Sequence, residues 1–426
     1  MITTHELVPQ TMPSKTSNYT LRPFVEAPLS TSDEKPIELE SIDLSLYKEG
    51  PENLSTRKGL ADKIEKSLST YGFISVINHG FEAEKLEHLK SVAQSLLGVP
   101  VEEQKRYLAG ALKSDLEDRS RSIGAERGSG YKPKGYWSMR NGVEDSITHY
   151  NFNHMNHSRF FDTEVNHYPE VAKDHLLEIA EFYRFLHTDT LRKLCDLTDL
   201  VLELPEGFIY ENFYSVQDGD LDGSGGGAGR FMLYDAMPPE DQKKVENTWL
   251  RGHSDSGGFT FITSQPILSL QIRDYYTGEW NYVGHTPNGL IVNIGDAMEF
   301  ITGGYFKSSI HRVVSPPDDQ KNYRRLVLIY FSKPKESAIL DPEPLRSPKL
   351  KRLGYNKPDE WEKIDFAAWN KMKSSLFGRK VVNDTNTEEP KLVLLHGRLH
   401  ERWHQAEANF SLQEALKKFD VITLES

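Results

Sequence analysis

The chain has a single cysteine, no apolar run long enough to cross a membrane, and no excess of basic residues. The lone Cys195 excludes an internal disulfide and fits a reducing compartment. No stretch of about 18 apolar residues occurs, so we expect no transmembrane helix. The N-terminus lacks a basic segment followed by an apolar core, and this predicts no secretory signal. We therefore expect a cytoplasmic protein.

The charge balance argues against polyanionic partners. Lys and Arg total 51 and Asp and Glu total 63 among 426 residues, which gives a formal net charge of −12. Nucleic acids and anionic membranes both select basic protein surfaces, so neither is an expected partner. A small organic molecule is the better expectation.

Hydrophobic patterning divides the chain into four segments. Residues 1–35 are polar and rich in Thr, Ser and Pro, and are predicted to form a flexible arm. Residues 36–205 alternate short strand patterns with amphipathic helices and form a helix-rich N-terminal region. Apolar residues at helical spacing predict one helix over about residues 86–96 and a longer one over about residues 176–194. Residues 206–335 contain β-branched and aromatic runs between turns, which is typical of a β-sandwich or barrel. Residues 336–426 are predicted to be a helical C-terminal extension.

Two histidines and an aspartate form a candidate metal site in the predicted β region. His253 and Asp255 are two positions apart, so both side chains point the same way from an extended chain. His311 follows at the end of a later strand, which a jelly roll can bring alongside the first. An H-x-D…H set suits a mononuclear non-haem iron centre and leaves octahedral positions open for a cosubstrate and dioxygen. The three letters alone are a weak signal, because a histidine more often packs in a core or on a surface.

Sequence motifs elsewhere in the chain make the assignment of a metal site more specific. The N-terminal region carries I-D-L at residues 42–44 and G-F-I-S-V-I-N-H-G at residues 72–80. The β region carries, in order, G-H-S-D at 252–255, L-Q-I-R-D at 270–274, V-N-I-G-D at 292–296 and H-R-V at 311–313. In this order and spacing the chain resembles the iron(II)- and 2-oxoglutarate-dependent oxygenases of the isopenicillin N synthase-like family over roughly residues 36–335.

This resemblance implies a fold, a chemistry and a ligand set. The implied fold is mixed α+β, with a double-stranded β-helix (jelly-roll) core, an N-terminal helical and strand region and flanking C-terminal helices. The implied iron ligands are His253, Asp255 and His311, and 2-oxoglutarate and O2 are the implied cosubstrates. The implied reaction couples decarboxylation of 2-oxoglutarate to hydroxylation, desaturation or rearrangement of a small organic molecule, often in specialised metabolism.

A late strand carries the residue that the family uses for the distal carboxylate of 2-oxoglutarate. By the match this residue is Arg325, whose planar guanidinium can grip a carboxylate through two hydrogen bonds. The family places a serine two positions later, and this chain has Val327 instead. Strand alternation admits only one of Arg324 and Arg325 to the interior, so we expect Arg324 to face solvent.

Relatives also bind 2-oxoglutarate through a tyrosine, for which two positions compete. N-F-Y at residues 212–214 matches the family's letters, whereas M-L-Y at residues 232–234 matches its distance from the iron motif. We favour Tyr234 over Tyr214. A further pair, His154 and His157, could line the pocket, but a surface position is favoured.

Three alternatives stay open at this stage. The motif H-E-R-W-H, with His400, Glu401 and His404, satisfies the H-E-x-x-H pattern of zinc peptidases if it lies on a helix, and we predict helices near residues 361–377 and 399–419. Few residues follow to supply a third ligand, so this alternative is the weaker. An oxidase of the same fold that does without 2-oxoglutarate is disfavoured by Arg325. The third alternative is a metal-free binding protein that has kept the fold.

Overall fold

The computed structural model describes residues 20–109, 129–137, 139–157, 168–217, 219–377, 391–402, 412–419 and 421–424. No helix in these ranges is long and apolar enough to cross a membrane. Residues 20–35 have little regular structure but lie against the body of the protein. Within them, the Thr31 N–H donates to Asp319 (2.6 Å), and Glu26 forms an ion pair with the buried Lys90 (2.6 Å).

Short strands dominate the described part of the chain. In chain order they are β1 (Ser41–Asp43), β2 (Phe73–Ile77), β3 (Gly130–Lys132), β4 (Ile147–Asn153), β5 (Gly226–Tyr234), β6 (Thr248–His253), β7 (Phe259–Thr263), β8 (Leu270–Arg273), β9 (Trp280–Tyr282), β10 (Leu290–Ile294), β11 (His311–Val314), β12 (Arg325–Lys333), β13 (Lys391–Leu395), β14 (Arg398–Arg402) and β15 (Ile422–Leu424).

Helices pack against one side of the strands, and in sequence they occur both before and after the strand-rich part of the chain. They are α1 (Leu54–Leu68), α2 (Ala83–Leu97), α3 (Val101–Gln104), α4 (Glu170–Asp174), α5 (Leu176–Phe185), α6 (Leu191–Leu202), α7 (Pro239–Lys244), α8 (Asp296–Ile301), α9 (Pro348–Leu353), α10 (Phe366–Phe377) and α11 (Leu412–Lys418). The long apolar stripe predicted after residue 176 forms α5 and α6, which a π-helical turn at Leu186–Thr190 joins. Cys195 is buried in α6, and burial raises the pKa of its thiol, as expected of a core residue.

Two facing sheets form the jelly roll. The larger sheet has the order β1-β2-β10-β7-β12-β5-β4-β3, and the smaller has the order β6-β11-β8-β9. The larger sheet takes β1–β4 from the predicted N-terminal region and its other strands from the predicted β region. The segment boundaries assigned from sequence stay a prediction.

Strand β12 shows how alternation builds two cores. Leu326, Leu328 and Tyr330 belong to the core between the larger sheet and the helices. Val327 and Ile329 point the other way, into the space between the two sheets. Burying each such apolar side chain stabilises the fold by roughly 1.5–3 kcal/mol. The face that carries Val327 is therefore the interior of the jelly roll, and the candidate site residues lie there.

The C-terminal extension differs from the sequence-based prediction. Residues 399–402, predicted to be helical, belong to strand β14, which pairs with β13 in a three-stranded sheet of order β14-β13-β15. His396 and Gly397 connect β13 to β14 with positive φ values of 45° and 75°, the conformation of a two-residue hairpin turn. The helix predicted near residues 361–377 begins only at Phe366. The helical prediction for residues 399–419 was therefore wrong at its start, and within that range the structure describes a helix only over Leu412–Lys418.

Candidate metal centre and cosubstrate site

Adjacent strands bring the two candidate histidines together. His253 ends β6 and His311 begins β11, and the two are cross-strand partners whose ring centroids lie 4.3 Å apart. Asp255 follows in the loop after β6. Its carboxylate oxygens lie 3.9 Å from the Nε2 atoms of His253 and His311. One candidate ligand atom from each residue therefore lies within 4.8 Å of the others, close enough to share one ion.

Hydrogen bonds aim all three side chains at the same point. Nδ1 of His253 lies 2.9 Å from the carbonyl oxygen of Arg251, and Nδ1 of His311 lies 3.2 Å from that of Ser309. A carbonyl only accepts, so each Nδ1 carries the proton and donates, and each Nε2 lone pair is left for a metal. His253 is 36% exposed and so borders the open side of the centre.

The carboxylate of Asp255 is held in the same way. Its Oδ2 accepts hydrogen bonds from Thr260 Oγ1 (2.7 Å) and Asn293 Nδ2 (2.8 Å). Burial opposes ionisation of this carboxyl, but the neighbouring histidines and the two hydrogen bonds outweigh burial and hold its pKa below the usual value. Partial burial, and then the neighbouring His311, hold the pKa of His253 below its usual value. At neutral pH the pair is thus an anionic carboxylate and a neutral imidazole, which are the forms that bind metals.

A close backbone approach fixes the loop that carries Asp255. The Asp296 N–H donates to the Asp255 carbonyl at 2.8 Å. A Cβ atom on Gly295 would lie only 2.7 Å from the same carbonyl oxygen, so this position requires glycine. The G-D pair at the end of the V-N-I-G-D motif therefore serves to hold the loop.

Arg325 and Tyr234 form a second group deeper in the interior. They are cross-strand partners on β12 and β5, and the guanidinium carbon of Arg325 lies 4.9 Å from the Tyr234 ring centroid. Arg325 is buried and forms no ion pair with any carboxylate in the described part of the chain. Arg324 is 44% exposed and pairs with Asp235 at 2.8 Å. The predicted alternation of the two arginines is confirmed.

The two tyrosine candidates occupy different structures. Tyr234 ends β5, and its hydroxyl donates to the sulfur of Met232 at 3.3 Å. Tyr214 ends a π-helical turn at Tyr210–Tyr214 and is not on the strand before the candidate ligands. Val327 is fully buried beside Arg325 and faces Met232 across the sheet. Near Arg325 the interior face thus carries the sulfur of Met232 and the isopropyl group of Val327. The family's motifs have an asparagine and a serine at these two positions.

Comparison with known protein families agrees with this geometry. Residues 229–334 match the model of the 2OG-Fe(II) oxygenase superfamily. Residues 39–164 match the N-terminal domain described for the non-haem dioxygenase in morphine synthesis. This chain belongs to the 2-oxoglutarate- and Fe(II)-dependent oxygenases. The predicted fold class, the enzyme class and the cofactors Fe(II), 2-oxoglutarate and O2 are thereby confirmed.

Individual relatives of this oxygenase are distant. It is 26% identical over 292 residues to feruloyl CoA ortho-hydroxylase 2 of Arabidopsis thaliana, covering 68% of each chain. It is also 26% identical to the 2-oxoglutarate-dependent dioxygenase citB of Monascus ruber, over 65% of this chain and 80% of citB. A full-length Neurospora crassa protein, crystallised in complex with alpha-KG and thymine, superposes with a TM-score of 0.61 at 17% identity over 81% of this chain and 98% of its own. The last likeness shows a shared fold.

The H-E-x-x-H motif does not form a peptidase site in this oxygenase. His400 and Glu401 lie on strand β14, not on a helix, and His404 lies outside the described residues. The Glu401 carboxylate pairs with Arg273 at 3.3 Å, and the His400 ring packs edge-on against Trp369 at 5.9 Å. The helix that the peptidase alternative needs is therefore absent at residues 398–402, and that part of the prediction was wrong.

Two other histidine groups lie outside the centre. The first is the pair His154 and His157, for which a surface position was predicted. His157 is buried, so that prediction was wrong for it. His88, His175 and Glu178 form a second group with metal-ligand spacing, but Glu178 accepts hydrogen bonds from both rings, at 3.0 Å and 2.7 Å. Nothing beyond its spacing marks this second group as a metal site.

Sequence reasoning missed the residues that support the centre. Thr260 and Asn293 lie within or beside quoted motifs, but their hydrogen bonds to Asp255 could not be read from the letters. Lys373, from α10, donates to the carbonyl and hydroxyl oxygens of Ser254 (both 2.8 Å) and also contacts Asp296. No local sequence pattern predicts that Lys373 supports the centre, because its partners Ser254 and Asp296 lie far away in the sequence.

Proposed function

We propose that this oxygenase binds Fe(II) through His253, Asp255 and His311, binds 2-oxoglutarate through Arg325 and Tyr234, and oxidises a small organic molecule. The observation that carries the proposal is the presence, on the two facing sheets of one jelly roll, of an open three-ligand group and a buried arginine that has no carboxylate partner among the described residues. We also propose a cytoplasmic location, which the single cysteine favours, and no nucleic-acid or membrane partner, which the net charge of −12 favours.

The donor set fits ferrous iron. Two imidazole nitrogens and one carboxylate oxygen converge from one side, and this is the facial arrangement used by non-haem Fe(II) oxygenases. The Nδ1 and Oδ2 atoms are already engaged by the protein, so the Nε2 and Oδ1 atoms stay available. When bound there, Fe(II) supplies the activation of dioxygen.

Arg325 fits the distal carboxylate of 2-oxoglutarate. A buried cation without a counter-ion is costly, and an incoming dicarboxylate would remove that cost. Tyr234 lies beside the guanidinium, and its hydroxyl, now donated to a weak sulfur acceptor, is available to turn toward an oxygen. The protein's task is to orient the cosubstrate and to exclude water, for which the apolar walls contributed by Val327 and Ile329 are suited.

Iron binding by variants tests the metal assignment. Under anaerobic conditions the wild-type chain should bind about one Fe(II), and His311→Ala should weaken that binding by at least about 100-fold, because one of three ligands is lost. The matched control is His88→Ala, in the surface group, which should leave iron affinity unchanged. Loss of iron binding in His88→Ala with retention in His311→Ala would move the site to the surface group.

Cosubstrate titration tests Arg325. With Fe(II) present, Arg325→Gln should weaken 2-oxoglutarate binding at least about 30-fold, because the carboxylate then meets no buried cation. Arg324→Gln should leave that affinity unchanged, since Arg324 is exposed. Succinate release during O2 consumption separates this function from an oxidase of the same fold: turnover without succinate would contradict the proposal.

A further inference from the structure

A second group of cations lies on the interior face that carries Arg325. It consists of Lys132 on β3, Arg230 on β5 and Lys333 on β12, and is called the cationic cluster below. Lys132 faces His149 across the sheet, and His149 in turn faces Met232. Cross-strand partners and residues two apart share a face, so the cluster points into the jelly roll.

The cationic cluster is separate from the Arg325 position. Arg230 lies four residues before Tyr234 on β5, a distance of about 13 Å along a strand. Lys333 lies at the opposite end of β12 from Arg325. A 2-oxoglutarate molecule held at Arg325 would therefore leave the cluster free for another ligand.

The described part of the chain does not neutralise this cluster. None of its three members forms an ion pair with a described carboxylate. Burial, and then the charges of Arg230 and Lys333, lower the pKa of Lys132 to about 7. Asp255 does act on Arg230, but in the proposed function its charge is shared with iron. Glu336 acts on Lys333 without forming an ion pair, and Lys132 is only partly protonated near neutral pH. Arg230 and Lys333 therefore make this part of the interior positive in a protein whose net charge is negative.

Flat side chains line the same space. The Trp137 ring stacks on His149 with centroids 4.8 Å apart and planes 15° from parallel. Phe331 lies beneath the Arg230 guanidinium at 4.9 Å. His149 is fully buried, and neither of its ring nitrogens has a hydrogen-bond partner among the described residues. A buried imidazole of this kind leaves one donor and one acceptor for a ligand.

This wall reaches the candidate metal centre. The cross-strand partner of Phe331 on β7 is Thr260, and the Thr260 hydroxyl donates to Asp255 at 2.7 Å. A molecule that lies along Phe331 with one end at Arg230 would therefore extend toward the iron ligands. The Phe331–Thr260 pair therefore connects the wall beside the cluster to the metal centre.

We infer that the substrate is an organic anion with a flat, unsaturated body. Its anionic group is held by Arg230, Lys132 and Lys333, and its body lies against Phe331 and beside the Trp137–His149 stack. This arrangement presents the far end of the body to the iron. The inference rests on the proposed function for the position of the metal, and it adds the charge and shape of the substrate.

Binding of matched acids and amides tests the inference. The full chain, loaded anaerobically with Fe(II) and saturating 2-oxoglutarate, is titrated by calorimetry with trans-cinnamate and trans-cinnamamide, and with 2-naphthoate and 2-naphthamide. Each pair differs mainly in charge. At least one acid should bind about tenfold or more tightly than its amide, because only the acid pairs with these half-buried cations. Arg230→Gln and, separately, Lys132→Gln should reduce that preference to about twofold or less.

Controls separate this inference from the proposed function. Arg324→Gln removes an exposed arginine from the same sheet and should keep the full preference. Arg325→Gln should weaken 2-oxoglutarate binding but leave the acid preference intact when 2-oxoglutarate is raised to saturation. Failure of the wild-type chain to bind Fe(II) or 2-oxoglutarate would overturn the proposed function.

Three results would overturn the substrate inference while leaving the proposed function intact. The first is equal binding of acids and amides, or no binding by either acid, in a chain that binds both cofactors. The second is displacement of the acid by 2-oxoglutarate, which would place it at Arg325. The third is a full preference in both Arg230→Gln and Lys132→Gln, with thermal denaturation showing both variants folded.

Discussion

Val327 is the residue at which this oxygenase departs most clearly from the family's cosubstrate motif. It lies fully buried, two positions from Arg325 on the same face of β12. Val327→Ser should tighten 2-oxoglutarate binding by roughly three- to tenfold, because a hydroxyl beside the arginine adds a hydrogen bond to a charged carboxylate. The measurement is 2-oxoglutarate titration of the anaerobic Fe(II) protein.

The control for that change is Val327→Ala, which removes methyl groups without adding a donor. It should not tighten binding, and it should lower the free energy of unfolding through the cavity that it leaves. Equal loss of 2-oxoglutarate affinity in both variants would mean that Val327 contributes shape and that no cosubstrate oxygen lies near it.

Asp199 gives the molecule a pH-dependent stability that is unrelated to catalysis. It is fully buried in α6, accepts a hydrogen bond from the Ile209 N–H (3.1 Å), and burial raises its pKa to about 8. The folded chain thus keeps a proton that the unfolded chain releases near pH 4. Stability from this group is complete below about pH 4 and is lost as the pH rises through about 8.

Asp199→Asn should therefore gain stability relative to the wild type as the pH rises. The gain should approach about 1.4 kcal/mol per pH unit at most between about pH 5 and about pH 8. Urea unfolding at several pH values measures it. Asp189→Asn, at a more exposed position beside α6, controls for the change in net charge, and the same pH trend in that variant would contradict the role of Asp199.

At this scale the sequence predicted what short motifs and strand alternation can encode. His253, Asp255 and His311 were grouped from letters and order, and Arg325 was distinguished from Arg324 by the two-residue period of a strand. Lys373 and the cationic cluster were not foreseen, because their neighbours come from strands and helices far apart in the chain. Motif matching also failed once: His400 and Glu401 fit a motif that requires a helix, but they lie on strand β14.

Helix α10 acts as a brace on the loop of the candidate metal centre. Lys373 on α10 donates to both the carbonyl and the hydroxyl of Ser254, next to Asp255, and reaches Asp296 behind the loop. Lys373→Met should weaken iron binding by about tenfold or more, because the loop that carries one proposed ligand loses its support and Asp296 loses its buried partner. Anaerobic iron titration is the measurement.

Lys371→Met is the matched control for the brace. Lys371 lies two residues earlier on α10 and is exposed. Its replacement should leave both iron affinity and unfolding unchanged. An effect of Lys373→Met on unfolding alone, with normal iron affinity, would show that α10 stabilises the fold without positioning Asp255.

The elements themselves were predicted unevenly, and the reason is physical. Long amphipathic stripes gave α2, α5 and α6, since a helical period repeated over several turns has few other interpretations. Strand β14 was mistaken for the start of a helix because its five residues do not show a decisive period. The His396-Gly397 pair before it is the sequence signal for a two-residue hairpin turn. In the structure that turn needs glycine, since a Cβ on Gly397 would overlap the Glu360 carbonyl oxygen.

For the whole molecule, the C-terminal extension completes the jelly-roll core. Arg273 on β8 pairs with Glu401 on β14 at 3.3 Å, and their side chains are 2% and 8% exposed. Trp369 on α10 is fully buried and packs edge-on against Phe300 of α8 at 4.8 Å. With such contacts we expect the extension and the jelly roll to unfold as one cooperative unit.

Breaking the buried ion pair tests that unity. Glu401→Gln should lower the free energy of unfolding by roughly 3 kcal/mol, because Arg273 keeps its charge in a buried position. In a cooperative molecule, urea should release Fe(II) and abolish the far-ultraviolet circular dichroism at one shared midpoint, and the substitution should shift both signals equally. Glu362→Gln, in the more exposed pair with His396 (2.6 Å), should shift neither by more than about 0.5 kcal/mol. If Glu401→Gln moved only the circular dichroism while iron release kept its wild-type midpoint, the extension would be an independent unit beside a self-sufficient jelly roll.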